Sequence, residues 1–128
     1  MLEGFKAINL TIGLPYMSIT ENGVTFNKTS IIKVGKPTHV LLMINEEKKQ
    51  IAIQPCEKND ENATPFLRNE TKGTLSVRWN NKDLLNTLSK MMGWNLKGCG
   101  YRIDGEYLNE ENAMIFNLNT AVVLGEKD

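Results

Sequence analysis

The chain has 128 residues, 41% of them hydrophobic, and its fifteen basic and fifteen acidic residues cancel. That is enough apolar material for one core, so a single domain over residues 1–128 is expected. The charge is balanced along the chain as well, which argues against a nucleic-acid binder built on a clustered positive field, and no apolar run approaches the length of a membrane span.

The first strong local signal is YMSITENGVTFNK, residues 16–28. Asn22-Gly23 between two β-rich runs is the dipeptide of a mirror-image two-residue hairpin turn, in which both turn positions need positive φ. Such a turn sets Ile19 opposite Phe26 on one face. TSIIKVG follows as a short helix, with Asn27 or Thr29 to cap it, Gly35 to end it and Pro37 just beyond. THVLLMI and KQIAIQP then pair across the acidic reversal NEEK. These elements make a first unit, 16–54. Residues 55–73 are polar and carry two prolines and a glycine, so they read as a linker loop whose PFLRNE begins the next strand.

A second unit, 74–118, repeats the order. GTLSVRW is a strand with Leu75, Val77 and Trp79 on one face. In NNKDLLNTLSKMMG, Leu84, Leu85, Leu88, Met91 and Met92 recur at helical core spacing. The principal helix is therefore expected over 81–92, capped by Asn80 or Asn81 and stopped by Gly93. KGCGYRIDGEYL is strand-like, with Asp104 and Glu106 flanking Gly105 in a solvated turn or bulge. AMIFNL answers it across a second NEE, at 109–111, and NTAVVL closes the domain. FNK at 26–28 stands against NNK at 80–82, and NEEKKQI at 45–51 against NEENAMI at 109–115. This shared order reads as an internal repeat. The fold class is mainly β (α+β), with two pseudo-repeated hairpin–helix–hairpin units.

The stretch GVTFNKTSIIKVGKPTHVLLMINEEKKQIAI, residues 23–53, resembles the AbrB/SpoVT-type swapped-hairpin family. Its members run from a Gly through a β-branched strand to a short helix ending in an apolar residue and Gly, then two strands around an acidic turn. The resemblance implies a small swapped-hairpin-like β-barrel in which the two units of one chain interlock, the second unit following in element order only. DNA binders of the family carry an Arg after the first Gly and more Arg along the helix. Here Val24 takes the first position, Lys33 is the only base of the helix, and Asn27-Lys28 replaces a Pro usual at its start, so the DNA-binding residues do not carry over. The whole chain is also similar to small uncharacterised proteins of low-GC Gram-positive bacteria and their prophages. Its fifteen Asn, and twelve Lys against three Arg, fit such an AT-rich source.

Few residues point to chemistry. His39 is the single histidine and has no acid or nucleophile beside it, so a structural role is expected. Cys56 and Cys99 lack metal-ligand spacing and read as free thiols of a cytoplasmic protein. GCG at 98–100 lacks the strand–helix context of a phosphate loop. No catalytic residue, metal or cofactor is expected, and the chain does not read as an enzyme.

The positive candidate is RWNNK, residues 78–82, where a strand runs into a helix start. Unpaired helix N–H groups at Asn80 and Asn81, the cations Arg78 and Lys82, and the Trp79 ring would together suit an anionic ligand. Tyr101 and Arg102 belong to the strand expected to pack nearby. The plainer reading of the same residues is a core Trp79, an Asn cap and a solvated Arg78. Trp94, after Met91-Met92 at the helix end, is the candidate partner-binding residue. The sequence thus points to a non-catalytic binding protein of a bacterium or its phage or mobile element. It would occupy a host or phage protein, or sequester a small anionic ligand such as a nucleotide, with a homodimer left open. The alternative is an AbrB-like DNA-binding transcriptional regulator.

Overall fold

A computed structural model describes residues 2–5, 13–68 and 75–124. The molecule is mainly β, with two α-helices and one antiparallel sheet curled into a half-barrel. β1 (Tyr16–Thr20) and β2 (Gly23–Phe26) form the first hairpin, and α1 (Lys28–Lys33) follows. β3 (His39–Asn45) and β4 (Gln50–Pro55) form the second hairpin. β5 (Ala63–Pro65), β6 (Val77–Trp79), α2 (Lys82–Met92), β7 (Gly100–Leu108), β8 (Ala113–Asn117) and β9 (Val122–Leu124) complete the chain. The strand order is β5-β3-β4-β8-β7-β1-β2-β6, and β9 pairs with β7.

The first hairpin turns one position earlier than Asn22-Gly23 predicts. Thr20 pairs with Gly23 and Ile19 with Val24, while Phe26 lies opposite Met17. Glu21 and Asn22 are therefore the turn residues, and neither has positive φ. Gly23 sits in the ladder at φ 139°, where a Cβ would lie 2.7 Å from the Trp79 carbonyl oxygen. The glycine is needed for the close approach of β6 and not for a mirror-image turn. Because the pairing moves by two residues, no side chain changes face. Met17, Ile19, Val24 and Phe26 all remain in the core.

β7 joins the two sides of the sheet. Its residues 101–104 pair with β1, and Gly105 to Leu108 pair with β8. The expected solvated turn at Asp104-Gly105-Glu106 is thus the middle of a nine-residue strand. Gly105 is where the partner changes: its N–H donates to the Pro15 carbonyl, and a Cβ there would meet Phe116 at 2.8 Å and Met114 at 2.9 Å. A charged pair around Gly looks like a turn in sequence, but here it marks tight packing of the strand on the core.

The segment expected to be a linker loop, 55–73, adds β5 to the edge of β3 and buries Phe66 and Leu67. Residues 69–73 of it lie outside the described residues. Phe66 packs edge-on to Phe26 at 5.4 Å, so the polar stretch around it hides two core positions. β5 and β6 are the two ends of the strand order. Across the seam between them the Trp79 indole N–H donates to the Pro65 carbonyl at 3.0 Å.

Both acidic reversals span four residues, 46–49 between β3 and β4 and 109–112 between β7 and β8. In each the last residue takes the left-handed conformation, Lys49 at φ 58° and Asn112 at φ 50°. The repeated NEE tripeptide is one place out of step between them: Asn45 ends a strand, whereas Asn109 opens the turn.

Candidate functional site

The residues of RWNNK are dispersed by the alternation of strand β6 and by the cap of α2. Val77 and Trp79 face inward and Arg78 faces out, as the pleat requires. Arg78 Nε donates to Thr25 Oγ1, its cross-strand partner, at 3.0 Å. Trp79 is a wedge in the aromatic core, edge-on to Phe26 at 5.0 Å and Phe66 at 6.0 Å, and its one polar atom is spent on Pro65. The ring is partly buried and packs against the core. Asn81 is the N-cap, its Oδ1 accepting from the Leu84 N–H at 2.8 Å, so it fills part of the helix-end site that an anion would use. Asn80 and Lys82 are exposed.

Tyr101 and Arg102 separate because neighbours on a strand point to opposite faces. Arg102 stands 4.0 Å over the Tyr16 ring and 3.4 Å from Asp104, on the outer surface. Tyr101 lies on the face of buried Ile103 and stacks flat on Trp94, with ring centroids 3.9 Å apart and planes 10° from parallel. A hydrogen bond with Cys99, together with partial burial, holds the Tyr101 phenol above its ordinary value. The phenol is therefore neutral at physiological pH.

Two of the predicted residues do meet. Lys82 and Trp94 line one groove of about 560 Å³, formed by a face of α2, the segment after it and the β1–β2 turn. Helix residues Lys82, Leu85, Asn86 and Ser89 are spaced to share that face. The helix ends at Gly93, φ 71°, whose N–H reaches back to the Ser89 carbonyl, and this stop turns Trp94 toward the sheet. Asn95, Leu96 and Lys97 supply the far wall, and Glu21 the rim. Trp94 is half-buried: Tyr101 stacks on one face of its ring, and the residue also lines the groove. The contents of the groove are a planar ring, buried Leu85 and Leu96, amides, and two lysines against one glutamate. Such a lining combines an apolar, planar wall with two cations, a chemistry suited to a planar anion.

The sequence missed Lys97, Asn86 and Glu21 as partners of Lys82. Helical spacing from Lys82 to Asn86 and Ser89 was the available signal; the return of residues 94–97 over that face depends on the Gly93 stop and the Tyr101 stack.

His39 shares a hydrogen bond with Thr38 Oγ1 at 3.0 Å and pairs in the ladder with Pro65. Cys56 and Cys99 are free and partly exposed. Burial, with Asp60 and Glu57 nearby, pushes the Cys56 thiol up from its ordinary value. Among the described residues no group of three or more His, Cys, Asp or Glu is gathered as a metal site would need, and no helix is long and apolar enough to cross a membrane. Compared with protein-family models, with curated proteins and with solved structures, the chain matches none.

Proposed function

We propose that this is a non-catalytic binding protein that holds a small anionic ligand with a planar part, of which a nucleotide is an example, in the groove along α2. The observation that carries this reading is the convergence of Lys82, Lys97 and the Tyr101-backed Trp94 on one open groove. Two cations attract the anion, and a ring already fixed by stacking loses little freedom on binding. We place it in the cytoplasm of a bacterium, encoded by the host or by its phage or mobile element. Titration with nucleoside monophosphates, followed by tryptophan fluorescence and calorimetry, tests it. Lys82→Ala should weaken binding by about 1.5–3 kcal/mol, the scale of a charge-assisted hydrogen bond, while Arg78→Ala leaves it unchanged. Absence of binding by the wild-type protein, or equal effects of the two substitutions, would count against the groove.

The arrangement of strands favours a second reading of the fold, that of a duplicated, swapped-hairpin unit. The offset that lays cap Asn27 on cap Asn81 also lays Val24 on Arg78 and Thr25 on Trp79; Val24 pairs with Trp79 and Thr25 with Arg78. Likewise the offset between the two reversals lays Ile51 on Met114 and Ile53 on Phe116, and Ile51 pairs with Phe116 and Ile53 with Met114. Two copies related by a twofold axis would pair their equivalent strands in this way. This supports kinship with the AbrB/SpoVT-type fold and, through it, the DNA-binding regulator as the alternative function. A salt-dependent mobility shift on duplex DNA would move the choice to that alternative.

A further inference from the structure

The sheet of β3, β4, β8 and β7 has an inner face that lines the core and an outer face on which, among the described residues, Leu41, Ala52, Leu108 and Ile115 are half-buried and Met43 is exposed. Leu42, Ile44, Ile51, Ile53, Met114 and Phe116 point inward. The registers fix what stands on the other side. Met43, Ala52, Ile115 and Glu106 lie side by side in one row across all four strands. Leu41 beside Gln54, and Leu108 beside Ala113, make the next row. Leu41, Met43, Leu108 and Ile115 belong to no part of the core cluster and are partly or wholly exposed, Met43 to 40%. The helices pack elsewhere, α1 on β1 and α2 on β2.

The margin of this apolar patch is acidic on the side of Leu41 and Leu108, while the 46–49 reversal at the opposite end carries two glutamates and two lysines. Glu106 stands within the first row, and Glu61 borders a shallow groove with Leu41, Leu42 and Met43. At the Leu108 end lies the reversal with Glu110 and Glu111, tied to the outer face by Gln54 Nε2, which donates to the Glu111 carbonyl at 2.7 Å. The row at the other end, Asn45, Gln50 and Asn117, is uncharged. No lysine or arginine stands in any of these rows. An apolar patch with an acidic margin selects a partner with an apolar stripe and basic flanks, and disfavours a second identical face by like-charge repulsion.

We propose that this outer face docks a protein partner through an amphipathic segment, whose apolar side chains cover Leu41, Met43 and Ile115 and whose lysines or arginines meet Glu61, Glu106 and the 109–112 turn. It is a surface separate from the α2 groove, and neither site needs the other. The test uses the full chain and a synthetic Leu/Lys amphipathic helix of roughly five turns, with a Leu/Glu peptide of the same apolar pattern as its counterpart. Expected is binding of the basic peptide alone, with NMR shift changes centred on Leu41, Met43, Glu106 and Ile115. Ile115→Asn should weaken it about tenfold, the loss of one well-placed apolar contact. Glu106→Lys, which keeps the apolar patch, should also weaken the basic peptide and strengthen the acidic one. Equal binding of both peptides, shifts centred elsewhere, or indifference to Glu106→Lys would overturn the proposal. A concentration-dependent dimer abolished by Ile115→Asn would overturn it too, since the face would then belong to a second copy.

Discussion

The reversals at 46–49 and 109–112 reach one backbone shape by different side-chain routes. In the first, Asn45 Oδ1 accepts from the Lys48 N–H, and left-handed Lys49 extends Nζ to the Met91 carbonyl at the end of α2. In the second, the Asn112 N–H donates to the Asn109 carbonyl, and left-handed Asn112 accepts the Tyr107 hydroxyl. The halves compare in the same way at their helix starts. Asn27 and Asn81 both cap, yet Asn27 Oδ1 also accepts from the Tyr16 N–H and its Nδ2 donates to the Leu14 carbonyl, whereas Asn81 Oδ1 accepts from the Leu84 N–H within its own helix start. Equivalent backbone positions can thus be kept by unlike contacts, and an identical tripeptide does not fix an equivalent position.

The largest expected effect is at the seam, where the halves differ most. Trp79 and Thr25 hold equivalent places under the offset between the caps, but only Trp79 is wedged among Phe26 and Phe66. Trp79→Ala should cost about 3 kcal/mol or more in denaturant unfolding, and Thr25→Ala well under 1 kcal/mol. Similar costs would erase the asymmetry between the halves. A middle-sized effect separates the caps: Asn27→Ala should lose about 2 kcal/mol and Asn81→Ala about 1 kcal/mol. The smallest concerns the cysteines, Cys56 in the segment between the two units and Cys99 in the second. A raised thiol pKa means less thiolate at neutral pH, so Cys56 should alkylate slowly and speed up as pH rises. Because Asp60 contributes to that rise, Asp60→Asn should quicken labelling of Cys56 and leave that of Cys99 unchanged. Mass spectrometry of the two labelled peptides checks this.

What was legible in the sequence is what depends on local pattern. The period of Leu84, Leu85, Leu88 and Met91 gives α2, and charged reversals between apolar runs give the hairpins of β3 with β4 and β7 with β8. The unbroken apolar runs of β3 and β8 leave their inner and outer faces unmarked. What was hidden depends on contacts made at a distance. β5 is three residues in a polar stretch and exists through its pairing with β3. The turn at Glu21-Asn22 is displaced by the approach of β6 to Gly23. The candidate site followed the same division: Lys82 and Trp94 were visible as residue types, but their meeting required Gly93 and Tyr101, and the proximity of Arg78 to Lys82 in sequence was undone by the pleat.

The shared strand β7 also bears on the order of events during synthesis. Met17 has Ile103 as its ladder partner, and Ile51 has Phe116. When the ribosome has delivered the first two hairpins, each already has an apolar row waiting for a strand that has not yet been made. Loop closure over such a distance is slow, and open strand edges are prone to wrong pairing meanwhile. The growing chain therefore passes through a stage in which its first half is complete in sequence and incomplete in partners.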